Sequence, residues 1–149
     1  MPTFTTEQIR EISGQLDCGF RAFYHKLSGE LIFVPDMDKH FDMETDTWKE
    51  ELGKLKKNKS KYQEIEAMES RDSFKMMEDF AEQLSDTNLG GQLLKALQTN
   101  KPFRHFKFVI DSSEHRQSWF DFKGKRQVEW IEDQLKIHEE INSQKNASR

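Results

Sequence analysis

The sequence predicts an α+β protein, because strand patterns and helix patterns fall in different parts of the chain. Segments rich in aromatic and β-branched residues lie in the first half. Apolar residues at spacings of three and four dominate the second half, as helices require. Strands grouped before helices, without alternation of the two, indicate a small three-stranded antiparallel sheet packed with about five helices.

The composition suits a single domain spanning residues 1–149. Only 34% of the residues are hydrophobic and 34% are charged, but twelve Phe and three Trp supply large side chains for a modest core. The formal charge of −4 argues against a dedicated DNA-binding domain, which is usually basic overall. One cysteine, Cys18, cannot form an internal disulfide, so we expect a reducing, cytoplasmic setting. No signal peptide or membrane helix is predicted.

Two helices are predicted in the first half of the chain. The first runs from Phe4 to Leu16 and starts with a capping box formed by Thr5 and Gln8. The second follows an acidic loop and starts near Thr47. It ends in the basic run 54–61, where positive charge suits the negative end of a helix dipole.

A hairpin and one further strand make the predicted sheet. Strand-forming residues flank Ser28-Gly29, where glycine suits a two-residue turn. That turn pairs His25 with Ile32 and Phe23 with Val34. Residues 62–68 form the third antiparallel strand, because a two-stranded sheet alone is only marginally stable.

The second half begins with two predicted helices. Ser70 caps a helix that runs to about Leu84. Its buried side is predicted to hold Phe74, Met77, either Phe80 or Ala81, and Leu84. Ser85 or Asp86 opens the next helix, and Asn100 closes it in the left-handed conformation.

Two further helices complete the chain. Pro102 stands at the first position of one, and Ser113 caps the other. The last helix has an inward stripe that begins at Phe120, and residues 142–149 form a frayed tail. The other positions of the stripe are Gly124, Val128, Ile131 and Leu135.

The stretch between Lys101 and Arg126 combines cationic and aromatic residues. It holds seven Lys or Arg against three acids. This mixture suits phosphate contact and base stacking in a nucleic acid, and it equally suits an acidic protein partner. Helical spacing assigns most of the aromatics to the core, among them Phe103, Phe106, Trp119 and Phe120. The candidate binding residues are Lys101, Arg104, Lys107, Arg116, Lys123 and Arg126.

The acidic loop contains a weak metal-binding pattern. Asp36, Asp38, His40 and Asp42 alternate as the ligands do at the start of a calcium loop. Phe41 stands where the sharp-turn glycine belongs, so the sequence favours a solvated loop. No metal or other cofactor is predicted.

No catalytic motif is assembled in the sequence. The five histidines (His25, His40, His105, His115 and His138) are dispersed. Cys18 follows the C-terminal end of a helix, where the dipole disfavours a thiolate. Three interpretations therefore stand: a non-enzymatic binding or regulatory module, an enzyme whose histidines and carboxylates converge only in the fold, and a homodimer formed through exposed aromatics.

Three blocks of the chain carry a family resemblance. They are Ser28-Gly29-Glu30 with its following strand, Tyr62 to Leu84, and Pro102 to Leu135. Within them stand Ser70-Arg71, Met77 to Phe80, Pro102 to Lys107, Trp119 to Phe122 and Glu129-Trp130-Ile131. These blocks resemble the uncharacterised bacterial family UPF0158, whereas the charged region from Asp36 to Lys61 departs from it. The resemblance implies a bacterial cytoplasmic protein with a shared α+β fold, and it implies no catalytic residue, cofactor or substrate.

Overall fold

The computed structural model describes residues 2–36 and 45–147 and has the predicted α+β fold. The three strands are β1 at Phe20–His25, β2 at Leu31–Pro35 and β3 at Tyr62–Ile65. They form one antiparallel sheet, as predicted, and the order of its strands is β2-β1-β3. The helices in the described ranges are α1 Thr6–Asp17, α2 Lys49–Lys57, α3 Ser70–Gln83, α4 Thr87–Leu97, α5 Pro102–Asp111 and α6 Arg116–Ala147.

The contacts of the chain divide it into two compact units. Unit 1 comprises residues 1–67 and 128–149, and unit 2 comprises residues 68–127. Each unit has its own hydrophobic core. That residues 1–149 behave as a single domain stays a prediction.

The core of unit 1 lies on one face of the sheet. Ala22 and Tyr24 of β1 are buried there with Ile65 of β3, and they pack with Ile12 of α1 and Ile131 of α6. The capping box predicted at the start of α1 is present, with both reciprocal hydrogen bonds formed. On the opposite face of the sheet, α2 packs against β2.

The hairpin loop is longer than the two-residue turn predicted from the sequence. Phe23 pairs with Ile32, whereas the prediction paired it with Val34. The backbone N–H of His25 donates to the carbonyl of Glu30, so residues 26–29 form the loop. The ring Nδ1 of His25 accepts from two loop N–H groups, which stabilises this arrangement. Because the register shifts by two residues, every side chain keeps its predicted face.

Three predicted helix ends are wrong by a few residues. Glu69, not Ser70, caps α3, because its carboxylate accepts from the backbone N–H of Asp72 and the Asp72 side chain accepts in return. Helix α4 ends at Leu97 with Gln98 as its C-terminal cap, and no described non-glycine residue has a positive φ, so Asn100 is not left-handed. Ser113 precedes α6 by three residues and bonds instead to the carbonyl of Ile110.

Unit 2 has a core of packed aromatic rings. The ring centroids of Phe80 and Phe106 lie 5.2 Å and 4.9 Å from that of Trp119. Trp119 is 5% exposed, whereas Phe120 is 40% exposed. The prediction that Phe120 is a core residue is therefore wrong. The other buried residues of this core are Met76, Ala81, Leu89, Leu93, Leu97 and Ile110.

Helix α6 has different buried positions in its two parts. Trp119 and Phe122 contact the core of unit 2, and Ile131 and Leu135 contact the core of unit 1. The predicted stripe, which runs through Phe120 and Ile131 at intervals of three and four, treats the two parts of the helix as having one continuous buried side. The helical backbone also continues to Ala147, beyond residue 142, where the frayed tail was predicted to begin.

Candidate binding face

Three of the predicted binding residues share one side of α5. Arg104 and Lys107 lie on the helix and Lys101 is its N-terminal cap residue; all three side chains are exposed. Their intervals of three residues place them on neighbouring turns of one helix face. Within residues 2–36 and 45–147, none of the three forms an ion pair. Their charges are therefore available to an external anion.

An aromatic ring stands among these cations. Phe108 is 73% exposed, although Phe106, two positions earlier, is fully buried. Arg104 precedes Phe108 by four residues, so the two side chains are neighbours on the helix surface. The sequence held the signal for this exposure, because Phe108 falls outside the helical spacing shared by Phe103, Phe106 and Ile110.

The segment that carries these residues contains no acid. Between Thr87 and Ile110 the chain has Lys95, Lys101, Arg104 and Lys107 but no Asp or Glu. The remainder of the chain holds all 27 acids and the other 19 cations. This segment covers α4, the turn that follows it, and α5 as far as Ile110. A local positive region thus lies in an acidic protein, which net charge alone conceals.

Arg126 is engaged within unit 2. Its Nη2 donates to Asp79 Oδ2 at 2.5 Å, and its guanidinium carbon lies 5.2 Å from the centroid of the Phe122 ring. The hydrogen bond from Arg126 holds the pKa of Asp79 below its usual value. The structure therefore gives Arg126 a packing role in addition to any binding role. Lys123 is half-buried and also has an interaction of its own.

Arg116 lies between a carboxylate and a second exposed ring. Its Nε donates to Asp111 Oδ1 at 3.1 Å, and its guanidinium carbon lies 4.8 Å from the Phe120 ring centroid. The Arg116 side chain is nevertheless 59% exposed. Arg116 is thus held in place without being covered.

One open cleft in unit 2 brings a histidine together with carboxylates. It has a volume of about 220 Å³, and its lining includes Asp86, Ser113, Glu114 and His115. His115 Nε2 lies 3.5 Å from Asp86 Oδ2. The Ser113 hydroxyl donates to the carbonyl of Ile110, so its proton is not directed at His115. This arrangement lacks an activated nucleophile, and the enzyme interpretation stays a prediction.

Another open cleft, of about 280 Å³, lies in unit 1. Tyr24 forms part of its lining, and its hydroxyl lies 3.0 Å from His138 Nδ1. Burial raises the pKa of Tyr24 to about 12 and lowers the pKa of His138. Both groups are therefore uncharged at neutral pH, and the hydroxyl and the ring nitrogen share a hydrogen bond. We read this pair as a structural hydrogen bond.

The predicted metal pattern is only partly described. Asp36 is included, whereas Asp38, His40 and Asp42 lie outside the described residues. In the part of the chain that the structure covers, no three His, Cys, Asp or Glu side chains are placed to hold a metal ion. The same part of the chain has no helix with both the length and the apolar character needed to cross a bilayer.

Comparison with known proteins identifies relatives but no activity. The model of UPF0158, described as an uncharacterised protein family, matches residues 4–146. UPF0158 protein PA5073 of Pseudomonas aeruginosa is 31% identical over 72 residues. This alignment covers 48% of the chain and 47% of the relative, so it spans about half of that protein's length. No solved structure matches the chain.

Proposed function

The chain belongs to the uncharacterised family UPF0158, and from its geometry we propose a non-enzymatic module that binds single-stranded nucleic acid. The exposed side of α5 that carries Lys101, Arg104, Lys107 and Phe108 is termed the basic face. The observation that carries the proposal is an exposed aromatic ring in a segment free of acids, among cations that form no ion pair with any residue that the structure describes.

The two kinds of side chain match the two parts of a single strand. Lysine and arginine attract the phosphates, and each contact releases a counterion. The ring of Phe108 offers a surface on which a base can stack. An acidic protein would meet the same cations, but its carboxylates have no flat aromatic surface for the Phe108 ring. The exposed ring therefore favours the nucleic acid.

A second basic region is a natural control. The run Lys54–Lys61 lies at the C-terminal end of α2 and just beyond it. Its Lys54 is already near a carboxylate, because its Nζ lies 3.6 Å from Glu30 Oε2. The adjacent aromatic, Tyr62, is half-buried and donates its hydroxyl to Glu30. This run has positive charge without a free ring, so we expect it to contribute little to binding.

Charge removal tests the phosphate contacts. Labelled single-stranded RNA and DNA are titrated with wild type and with Lys101→Gln/Arg104→Gln/Lys107→Gln over a series of salt concentrations. We expect the slope of log affinity against log salt to fall in magnitude by about two, since each phosphate contact contributes roughly 0.7. The control, Lys56→Gln/Lys57→Gln/Lys59→Gln, removes the same charge from α2 and its flank and should leave the slope unchanged.

Ring removal tests the stacking contact. Phe108→Ala should weaken binding by about 1–3 kcal/mol while leaving the salt slope unchanged, because it removes a stacked base and no charge. Leu27→Ala removes another highly exposed apolar side chain, in unit 1, and should have no effect. Absence of wild-type binding at low salt would contradict the proposal. Binding to polyglutamate but not to either nucleic acid would replace it with an acidic protein partner.

We infer a cytoplasmic setting for this activity from the single cysteine. Cys18 is exposed at the end of α1, and the chain offers it no second cysteine with which to form an internal disulfide. Thiol labelling of Cys18 in intact and in lysed cells checks this expectation. A thiol that stays unlabelled in intact cells, and that is found reduced and reactive after lysis, supports it.

A further inference from the structure

We infer that Arg116 and Phe120 form a second base-stacking position, adjacent to the basic face. The inference rests on the proposed function and extends it from one stacked base to two. Its basis is a guanidinium that lies over a partly exposed ring and is itself more than half exposed. Neither residue belongs to the acid-free segment, so the charge pattern alone does not identify this position.

The position is held ready for a flat ligand. Asp111 accepts a hydrogen bond from Arg116 Nε and fixes the orientation of the guanidinium. The Phe120 ring supports one side of the guanidinium, at 4.8 Å from its carbon. Nucleic-acid bases stack on arginine planes as well as on aromatic rings. A base placed on the outer side of Arg116 would complete a stack with the guanidinium and Phe120, and little side-chain freedom would be lost on binding.

Contacts connect this position to the basic face. Asp111 is the last residue of α5 and follows Phe108 by three positions, so the two are neighbours on the helix. Through Asp111, Arg116 is fixed at the same end of α5 as Phe108. From Lys101 to Asp111 the helix extends about 15 Å at 1.5 Å per residue. A strand of about four nucleotides, a short site for a single-strand binder, can follow this surface.

Asp111 also defines the chemistry of the second position. Its carboxylate offsets the charge of Arg116, so this arginine contributes its plane more than its charge. A polyanion is still the occupant that fits, because the adjacent α5 cations have no partners among the described residues. The second position should therefore affect affinity and base stacking but hardly the salt dependence.

The test replaces the planar guanidinium of Arg116 while keeping its positive charge. Arg116→Lys retains a cation but loses the planar guanidinium. Short single-stranded oligonucleotides of several lengths carry 2-aminopurine at each position in turn, and its fluorescence reports stacking. We expect Arg116→Lys to abolish quenching at one position and to lower affinity at least about fivefold, as for one lost stacked base. Phe120→Ala should act at the same position, whereas Phe108→Ala should act at a different one.

Two controls separate folding from binding. Arg10→Lys makes the same substitution at an exposed arginine of α1 and should leave quenching and affinity unchanged. Asp111→Asn keeps the guanidinium but removes the charge that orients it, so quenching at the second position should weaken. Circular dichroism and thermal midpoints establish that each variant is folded.

The outcomes distinguish the two proposals. Wild-type binding that is weakened by Phe108→Ala but unaffected by Arg116→Lys and Phe120→Ala would overturn the second position and leave the basic face standing. Lack of wild-type binding to any oligonucleotide would overturn both.

Discussion

Helices α3 and α4 approach each other closely at Gly90. A Cβ at this position would lie 2.7 Å from the carbonyl oxygen of Ala81, which belongs to the backbone and cannot rotate away. The next residue, Gly91, has no atom within 4 Å of the corresponding position. Two adjacent glycines of one helix thus differ in whether a methyl group can be accommodated.

We predict opposite effects from the two Gly→Ala substitutions. Gly90→Ala should lower the free energy of unfolding by about 1–3 kcal/mol, the usual cost of forcing extra volume into a packed site. Gly91→Ala should raise it by up to about 1 kcal/mol, because alanine favours the helix. Urea unfolding followed by circular dichroism measures both. Equal stabilisation by the two variants would show that the backbone at Ala81 moves at little cost to accommodate the added methyl group.

Residue periodicity predicts that a helix has a buried side better than it predicts which of two neighbours is buried. It correctly placed Phe106 and Trp119 in the core, but it also placed Phe120 there, and Phe120 is 40% exposed. The choice depends on rings from other helices, Phe80 and Phe106, which meet Trp119. Such partners come from distant parts of the chain, so the sequence pattern of α6 alone cannot reveal them.

Within unit 1, the burial of His138 on α6 makes stability depend on pH. The Tyr24 hydroxyl lies 3.0 Å from His138 Nδ1, and burial lowers the pKa of His138 below its ordinary value. The unfolded chain therefore binds a proton at a higher pH than the folded chain does. The associated stability is complete above about pH 6.5 and is lost as pH falls towards the lower pKa of the folded state. Glu66 opposes this pKa shift, and Lys26 adds to it.

Replacing His138 should make the free energy of unfolding less sensitive to acid. His138→Gln keeps an oxygen acceptor for Tyr24 but does not titrate, so its free energy of unfolding should fall less between pH 7 and about 5 than that of wild type. Tyr24→Phe is the control, because His138 stays buried and the pH dependence should persist. Unfolding in urea at a series of pH values measures the slopes. The same slope in His138→Gln and wild type would exclude His138 as the cause.

Local signals predicted the starts of most elements, and non-local contacts explain the failures. The capping box of Thr5, the cap at Asp86 and the proline at the first position of α5, Pro102, depend on residues within one turn, and all three are present. The hairpin loop differs because a ring outside the presumed turn, that of His25, bonds to the loop backbone. Glycine at the position of positive φ was nevertheless correct, since Gly29 has a φ of 78°.

The sequence predicted which cations belong to the candidate site, but it did not predict which of them bond to carboxylates elsewhere in the chain. Lys101, Arg104 and Lys107 were recognised from helical spacing, and the structure leaves them exposed. Arg126 has the same residue type and lies in the same stretch, yet it bonds to Asp79, 47 positions earlier. Sequence spacing within one helix gives no information about such a partner. Two features of the sequence could have limited the candidate site to α5. They are the segment without acids and the position of Phe108 outside the helical spacing of the buried residues.

At the scale of the whole molecule, α6 is the element that bears on whether the chain unfolds as one domain. It is a single helix from Arg116 to Ala147, and it contributes core residues to both units. Helix formation is cooperative, so loss of one part of α6 weakens the residues that follow it. We therefore expect one unfolding transition for the chain, as the single-domain prediction requires.

The three tryptophans allow this expectation to be tested without altering the protein. Trp48 and Trp130 belong to unit 1 and Trp119 to unit 2, so their indole N–H signals in nuclear magnetic resonance report each unit separately during a urea titration. All three should disappear at one midpoint. In Gly90→Ala, whose defect lies in unit 2, the three midpoints should fall together if unfolding is shared. A lower midpoint for Trp119 alone would instead mean that the units unfold independently, because destabilisation of one would then not be transmitted through α6 to the other.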